Sequence, residues 1–108
     1  MAFKKKANTG YSTSLAQEVL NGETLYIVGL ELETQYEYIE GKPTQNIKGY
    51  QVWIATDNHN PFKVKFLPKD RPSLDSFAIG QEVTFEGLEA LEFKNNIYFK
   101  ATAINKKG

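Results

Sequence analysis

From Thr24 onward, apolar and polar residues alternate with a period of two; before Thr24 they do not. Ser14-Leu-Ala-Gln has the form of a capping box, Leu15, Val19 and Leu20 follow at helical spacing, and Asn21-Gly22 supplies a stop, so one short helix is predicted here. A long first strand is predicted over Thr24–Tyr38, where Leu30, Leu32, Tyr36 and Tyr38 alternate with Glu31, Glu33 and Glu37. Gly29 inside it marks a bulge or bend. Ile39–Asn46 reads as a turn-rich connection. A second strand is predicted over Ile47–Thr56 and a third over Phe62–Leu67, joined by Asp57-Asn-His-Asn-Pro. Pro68, Pro72 and Ser73 break the pattern, and Leu74–Ala78 suits one helical turn. A fourth strand is predicted over Val83–Phe93 with Gly87 inside it, then a turn at Lys94-Asn95-Asn96 and a fifth strand over Ile97–Ile104.

The expected fold class is all-β with one short helix: a five-stranded OB-like Greek-key barrel preceded by an N-terminal arm. A long first strand with a central glycine suits such a barrel, because that strand must bend to pair on both sides. An SH3-like barrel shares much of the pattern. Residues 1–12 are polar and rich in lysine and read as a mobile basic arm; residues 13–105 read as a single domain.

Composition narrows the classes of function. At 108 residues, 41% of them apolar, the chain has enough material for one packed core. With no cysteine, disulfides and thiolate metal sites are excluded. No run approaches the roughly 20 apolar residues of a membrane helix, and Lys4, Lys5 and Lys6 are not followed by an apolar stretch, so a cytoplasmic protein with no membrane partner is expected. The zero net charge conceals a segregation. Between Gly41 and Arg71, Lys42, Lys48, Lys63, Lys65, Lys69 and Arg71 face only Asp57 and Asp70. Acidic residues concentrate in Glu31–Glu40 and Glu82–Glu92. A locally basic hairpin on an acidic body suits a polyanion bound at one place.

That hairpin carries the candidate chemistry. If Val52, Ile54, Val64 and Phe66 face the core, then Gln51, Trp53, Lys63 and Lys65 face outward together. An aromatic ring among lysines is what single-stranded nucleic acid needs: a platform for a base and cations for its phosphates. Both neighbours of Trp53 are apolar and β-branched, so a one-residue bulge would bury it instead. Lys48 lies further back on the same strand. On the last strand Tyr98 and Lys100 share a face, opposite Ile97, Phe99, Ala101 and Ala103. Tyr98 is then either a second stacking platform or a cross-strand partner of Tyr26 or Tyr36. Tyr36 and Tyr38 stand among carboxylates that repel phosphate, which suits packing or protein contact. His59, the one histidine, reads as a turn residue rather than a metal ligand. No H-E-x-x-H, P-loop or G-x-S-x-G motif occurs, and neither an enzyme nor a cofactor is expected.

Four segments, Thr24-Leu-Tyr-Ile-Val-Gly-Leu, Gln35-Tyr-Glu-Tyr, Ile47-Lys-Gly-Tyr-Gln-Val and Gly80-Gln-Glu-Val, carry a further signal. Through them the stretch from Thr24 to about Ile104 resembles a family of small proteins encoded on conjugative plasmids and integrative elements of Gram-positive bacteria. The resemblance implies an accessory role in a mobile element, with DNA processing as the natural context, and supplies no site residues. Single-stranded-DNA-binding proteins of phages and plasmids are similar in size and OB-like layout. The combined expectation is non-sequence-specific binding of single-stranded DNA. Trp53 and Tyr98 would stack on bases, Lys48, Lys63, Lys65 and Lys100 would meet phosphates, and Gln51 would touch a base edge or sugar. A replication or conjugation protein is a possible second partner, and the alternative role is a protein-interaction module.

Overall fold

The computed structural model describes residues 10–107, so the Lys4-Lys5-Lys6 part of the expected arm lies outside the described residues. The one α-helix described, α1, spans Thr13–Leu20. Its cap is Ser12 rather than Ser14: Ser12 has extended backbone and its hydroxyl accepts from the Leu15 N–H at 3.1 Å. Ser14 lies inside the first turn, and its hydroxyl is 2.9 Å from that of Ser12. Ala16 and Leu20 are buried, and Asn21 ends the helix in the left-handed region as the Asn-Gly stop predicts. Tyr11 and Ser12 belong to the folded body. The Ser12 N–H and C=O both pair with Ala90, at 2.8 and 2.9 Å, and so tie the start of the helix to the sheet.

The described structure is mostly β: eight strands in one mixed sheet, where five were expected. The predicted first strand divides into β1, Leu25–Ile27, and β2, Glu33–Ile39. The predicted loop at Ile39–Asn46 is instead strand. The chain reverses through Glu40 and Gly41, both at positive φ (53° and 80°), and β3 runs from Lys42 to Ala55. Two consecutive left-handed residues match the right-handed twist of a hairpin. Next comes β4, Phe62–Phe66, and then a 3-10 turn at Pro68–Asp70 rather than a helical turn at Leu74–Ala78.

The predicted fourth and fifth strands also divide. They form β5, Glu82–Glu86, β6, Glu89–Phe93, β7, Asn96–Lys100, and β8, Ala103–Lys106. Gly87 (φ 64°) bends one arm of this hairpin, and Thr102 breaks the other; Thr102 donates to the Glu86 carbonyl through both its N–H (2.9 Å) and its hydroxyl (3.0 Å). The break shifts the inward phase, so Ala101 and Ile104 are buried rather than Ala101 and Ala103.

The pairing order is β6-β7-β4-β3-β1-β5-β8, with β2 also on β3. All contacts are antiparallel except that of β4 with β7. The path is open, with β6 and β8 at its ends, and does not close as a five-stranded barrel. Val52, Ile54, Val64 and Phe66 are fully buried, as the alternation requires, and join Ile27, Val83 and Ala90 in the core. By contrast the end of β2 extends past the core: Tyr38 is 68% and Ile39 58% exposed. β2 pairs only with β3, and the exposure of these side chains leaves them uncovered.

Replacing Ser12 by Ala is expected to lower unfolding stability by about 1 kcal/mol, whereas Ser14→Ala changes it little. Urea denaturation of the two variants checks which serine is the cap.

Candidate functional site

The outward faces of β3, β4 and β7 meet in an open groove of about 480 Å³. Lys48, Gln51, Trp53, Lys63, Lys65 and Tyr98 all line it. Strand register brings them there. Trp53 pairs with Lys63 and Gln51 with Lys65 across β3 and β4, and Lys65 pairs with Lys100 across β4 and β7. Gln51 also pairs with Glu33, and Lys100 with Glu89. One transverse row therefore reads Glu33, Gln51, Lys65, Lys100, Glu89, with cations in the middle and a carboxylate at each end.

The middle of the row is electrostatically unbalanced. No carboxylate of the described residues pairs with Lys48 or Lys65. Burial, and then the Lys48 and Lys100 ammonium groups, hold the Lys65 amine below the usual lysine range. Close packing of Gly49 contributes to this crowding, since a Cβ there would lie 2.8 Å from the Phe66 carbonyl oxygen and 2.9 Å from Lys65 Cε.

The ends differ. Trp53 is half-buried, neither free on the surface nor in the core. Its indole N–H donates to Glu33 Oε2 at 2.7 Å. Glu33 Oε1 lies 2.9 Å from Lys63 Nζ, which sits 5.0 Å from the centroid of the Trp53 ring. The hydrogen bond from Lys63, and then that from Trp53, hold the Glu33 carboxyl below the usual carboxylate range against a smaller opposing effect of burial. At the other end, Lys100 stands beside the groove. Its ammonium lies 4.6 Å from the Tyr11 ring centroid and 3.7 Å from Glu89 Oε1. Tyr98 is 46% exposed and pairs with Leu91, not with Tyr26 or Tyr36. Burial, and then the neighbouring Tyr98, push the Tyr11 phenol up.

Besides the apolar lining of Pro61, Phe62, Ile97 and Phe99, two groove residues escaped the sequence reading: Tyr11 lies in the segment assigned to the arm, and Gln35 was not singled out. Glu33, beside the groove, stood among acids read as repelling phosphate. Gln35 faces the groove because it pairs with Gly49, and its Oε1 is buried with no hydrogen-bond partner among the described residues. That acceptor suits a donor such as a base amino group. Alternation along β2 was a usable signal for Gln35 and Glu33; nothing local pointed to Tyr11.

His59 is a turn residue as expected, but its partner is remote: Nε2 lies 2.8 Å from Glu23 Oε2. Asn58 also donates to Glu23 at 3.3 Å. These contacts hold the β3–β4 loop, whose Pro61 borders the groove. Among the described residues no cluster of acidic or histidine side chains is arranged to hold a metal ion, and no helix is long and apolar enough to cross a membrane.

Compared with known proteins, the chain matches no family model, no curated protein and no solved structure.

A depressed folded-state pKa means that the Lys65 charge opposes folding at neutral pH. This opposition disappears as pH rises through the folded pKa towards the ordinary lysine value. NMR titration of the lysine ε-carbons should show Lys65 losing its proton below the ordinary lysine value. Lys48→Met or Lys100→Met should move it back up.

Proposed function

We propose that the groove binds single-stranded DNA with little sequence preference. The observation that carries this reading is the convergence of Lys48, Lys65 and Lys100, unbalanced at its centre, between Trp53 on one side and Tyr98 and Tyr11 on the other. Cations repelling one another are relieved by a polyanion, and rings flanking them give bases a place to stack. Gln51 and the unpaired Gln35 acceptor would contact base edges or sugars. Lys63, held by Glu33, is a weaker contributor than Lys65.

The strand order supports an OB-like module. When the halves of each broken strand are joined, the first pairs with the second, the second with the third, the third in parallel with the fifth, the fifth with the fourth, and the fourth with the first. On this reading the opening at Gly87 and Thr102 is a bend in a strained barrel rather than a sheet edge. Service to a phage, plasmid or conjugative element, in the cytoplasm and beside a replication or conjugation protein, is the context the family resemblance favours.

A second reading has its own observation. The tip of the β2–β3 hairpin exposes Tyr36, Tyr38, Ile39 and Ile47 with no layer over them, which suits a protein contact. The two roles use different parts of the molecule.

The test is fluorescence anisotropy of a labelled oligothymidine of about 30 nucleotides, with Trp53 emission followed in parallel. Saturable, salt-sensitive binding that quenches Trp53 is expected. Trp53→Ala should weaken binding by about 1–3 kcal/mol. Lys65→Ala should weaken it and flatten the slope of log K against log salt by about 0.7. Absence of binding at low salt would refute the reading. Tyr38→Ser with Ile39→Ser should leave DNA affinity unchanged while abolishing any hairpin-dependent protein contact seen by pull-down.

A further inference from the structure

Glu33 holds both groups that a nucleotide would need at its end of the groove. One carboxylate oxygen accepts from the Trp53 indole N–H at 2.7 Å and the other meets the Lys63 ammonium at 2.9 Å. Lys63 in turn lies over the Trp53 ring, 5.0 Å from its centroid, where a stacked base would sit. An anion bridging a ring N–H and an ammonium through two oxygens is bound as a phosphate would be. Register makes the placement specific: Glu33 lies opposite Gln51, in the same row as Lys65 and Lys100. Glu31, two positions earlier, instead lines a separate hollow with Arg71.

We propose that Glu33 is an internal phosphate surrogate. In the free protein it occupies the Trp53–Lys63 subsite. A backbone phosphate displaces it, Lys63 transfers to that phosphate, and the vacated ring face receives a base. The inference rests on the groove binding single-stranded nucleic acid and adds a regulation of that binding. Lys48 and Lys65 have no such competitor, so a polyanion engages first at the middle of the row. The Trp53 end closes second, and only for a ligand whose phosphate can replace the carboxylate. A nucleobase without phosphate cannot open it.

The experiment compares the unaltered protein with Glu33→Gln and Glu31→Gln. Each variant removes one negative charge, but only the first releases Lys63. With the same oligothymidine across a salt series, Glu33→Gln should bind roughly three- to tenfold tighter at each salt concentration, with the salt slope unchanged because Lys63 meets the same phosphate in both complexes. Glu31→Gln should stay close to the unaltered protein. A ligand-independent readout uses iodide, a small anion, as quencher of Trp53, the single tryptophan. Quenching should rise in Glu33→Gln and not in Glu31→Gln, with thermal melts confirming that both are folded. If the unaltered protein binds but Glu33→Gln is no tighter than Glu31→Gln, or if iodide quenching does not rise, the surrogate is refuted and the groove reading stands. If none of the three binds at low salt, the groove reading falls and takes the surrogate with it.

Discussion

The register between β3 and β4 divides this molecule into a core and a groove. Val52 opposite Val64 and Ile54 opposite Phe62 place apolar side chains inward, and the same pairing leaves Trp53 opposite Lys63 and Gln51 opposite Lys65 on the outer face. Because the side-chain period is two, a slip of one residue would bury the lysines and expose the valines. Four fully buried side chains, Val52, Ile54, Val64 and Phe66, make that slip prohibitive. The groove is thus held by the core behind it, and its geometry is as rigid as the packing of those residues.

Charge along the groove follows from how far each strand reaches. Lys65 and Lys100 come together because β4 and β7 run parallel, a contact that requires the β6–β7 hairpin to fold back beside β4. Glu33 and Glu89 cap the row because their strands, β2 and β6, are its outermost members there. Acids at the rim confine the positive field to the centre, so an acidic body and a locally basic groove coexist in a chain of zero formal charge.

Much of this was legible locally. Lys63 and Lys65 alternate with Phe62, Val64 and Phe66, and that alternation alone assigns their face. The same holds for Tyr98 and Lys100 against Phe99. The Asn21-Gly22 stop was legible because left-handed backbone selects those residues. The Glu40-Gly41 hairpin was missed since Lys42-Pro-Thr-Gln-Asn lacks the apolar alternation of a strand. Its pairing with β2 is irregular, with register shifts on both sides of Tyr36. The cap moved from Ser14 to Ser12 because Ser12 is also anchored to Ala90, a contact invisible from the helix pattern. Strands four and five broke at Gly87 and Thr102 because one hairpin must serve β4 with one half and β1 with the other.

The sequence by itself determined the alternation of β3 and β4, the four core side chains of that hairpin, the clustering of lysines around one tryptophan and the exclusion of cysteine chemistry. These depend on backbone geometry over a few residues or on composition. Tertiary structure decided that Glu33 would clamp Trp53 and Lys63, that Tyr11 would lie under Lys100, that Gln35 would face the groove, and that the tyrosines of β2 would stand uncovered. Each of those outcomes depends on which distant strands become neighbours and in what register. That is set by the simultaneous burial of the whole core, which no short window of sequence contains.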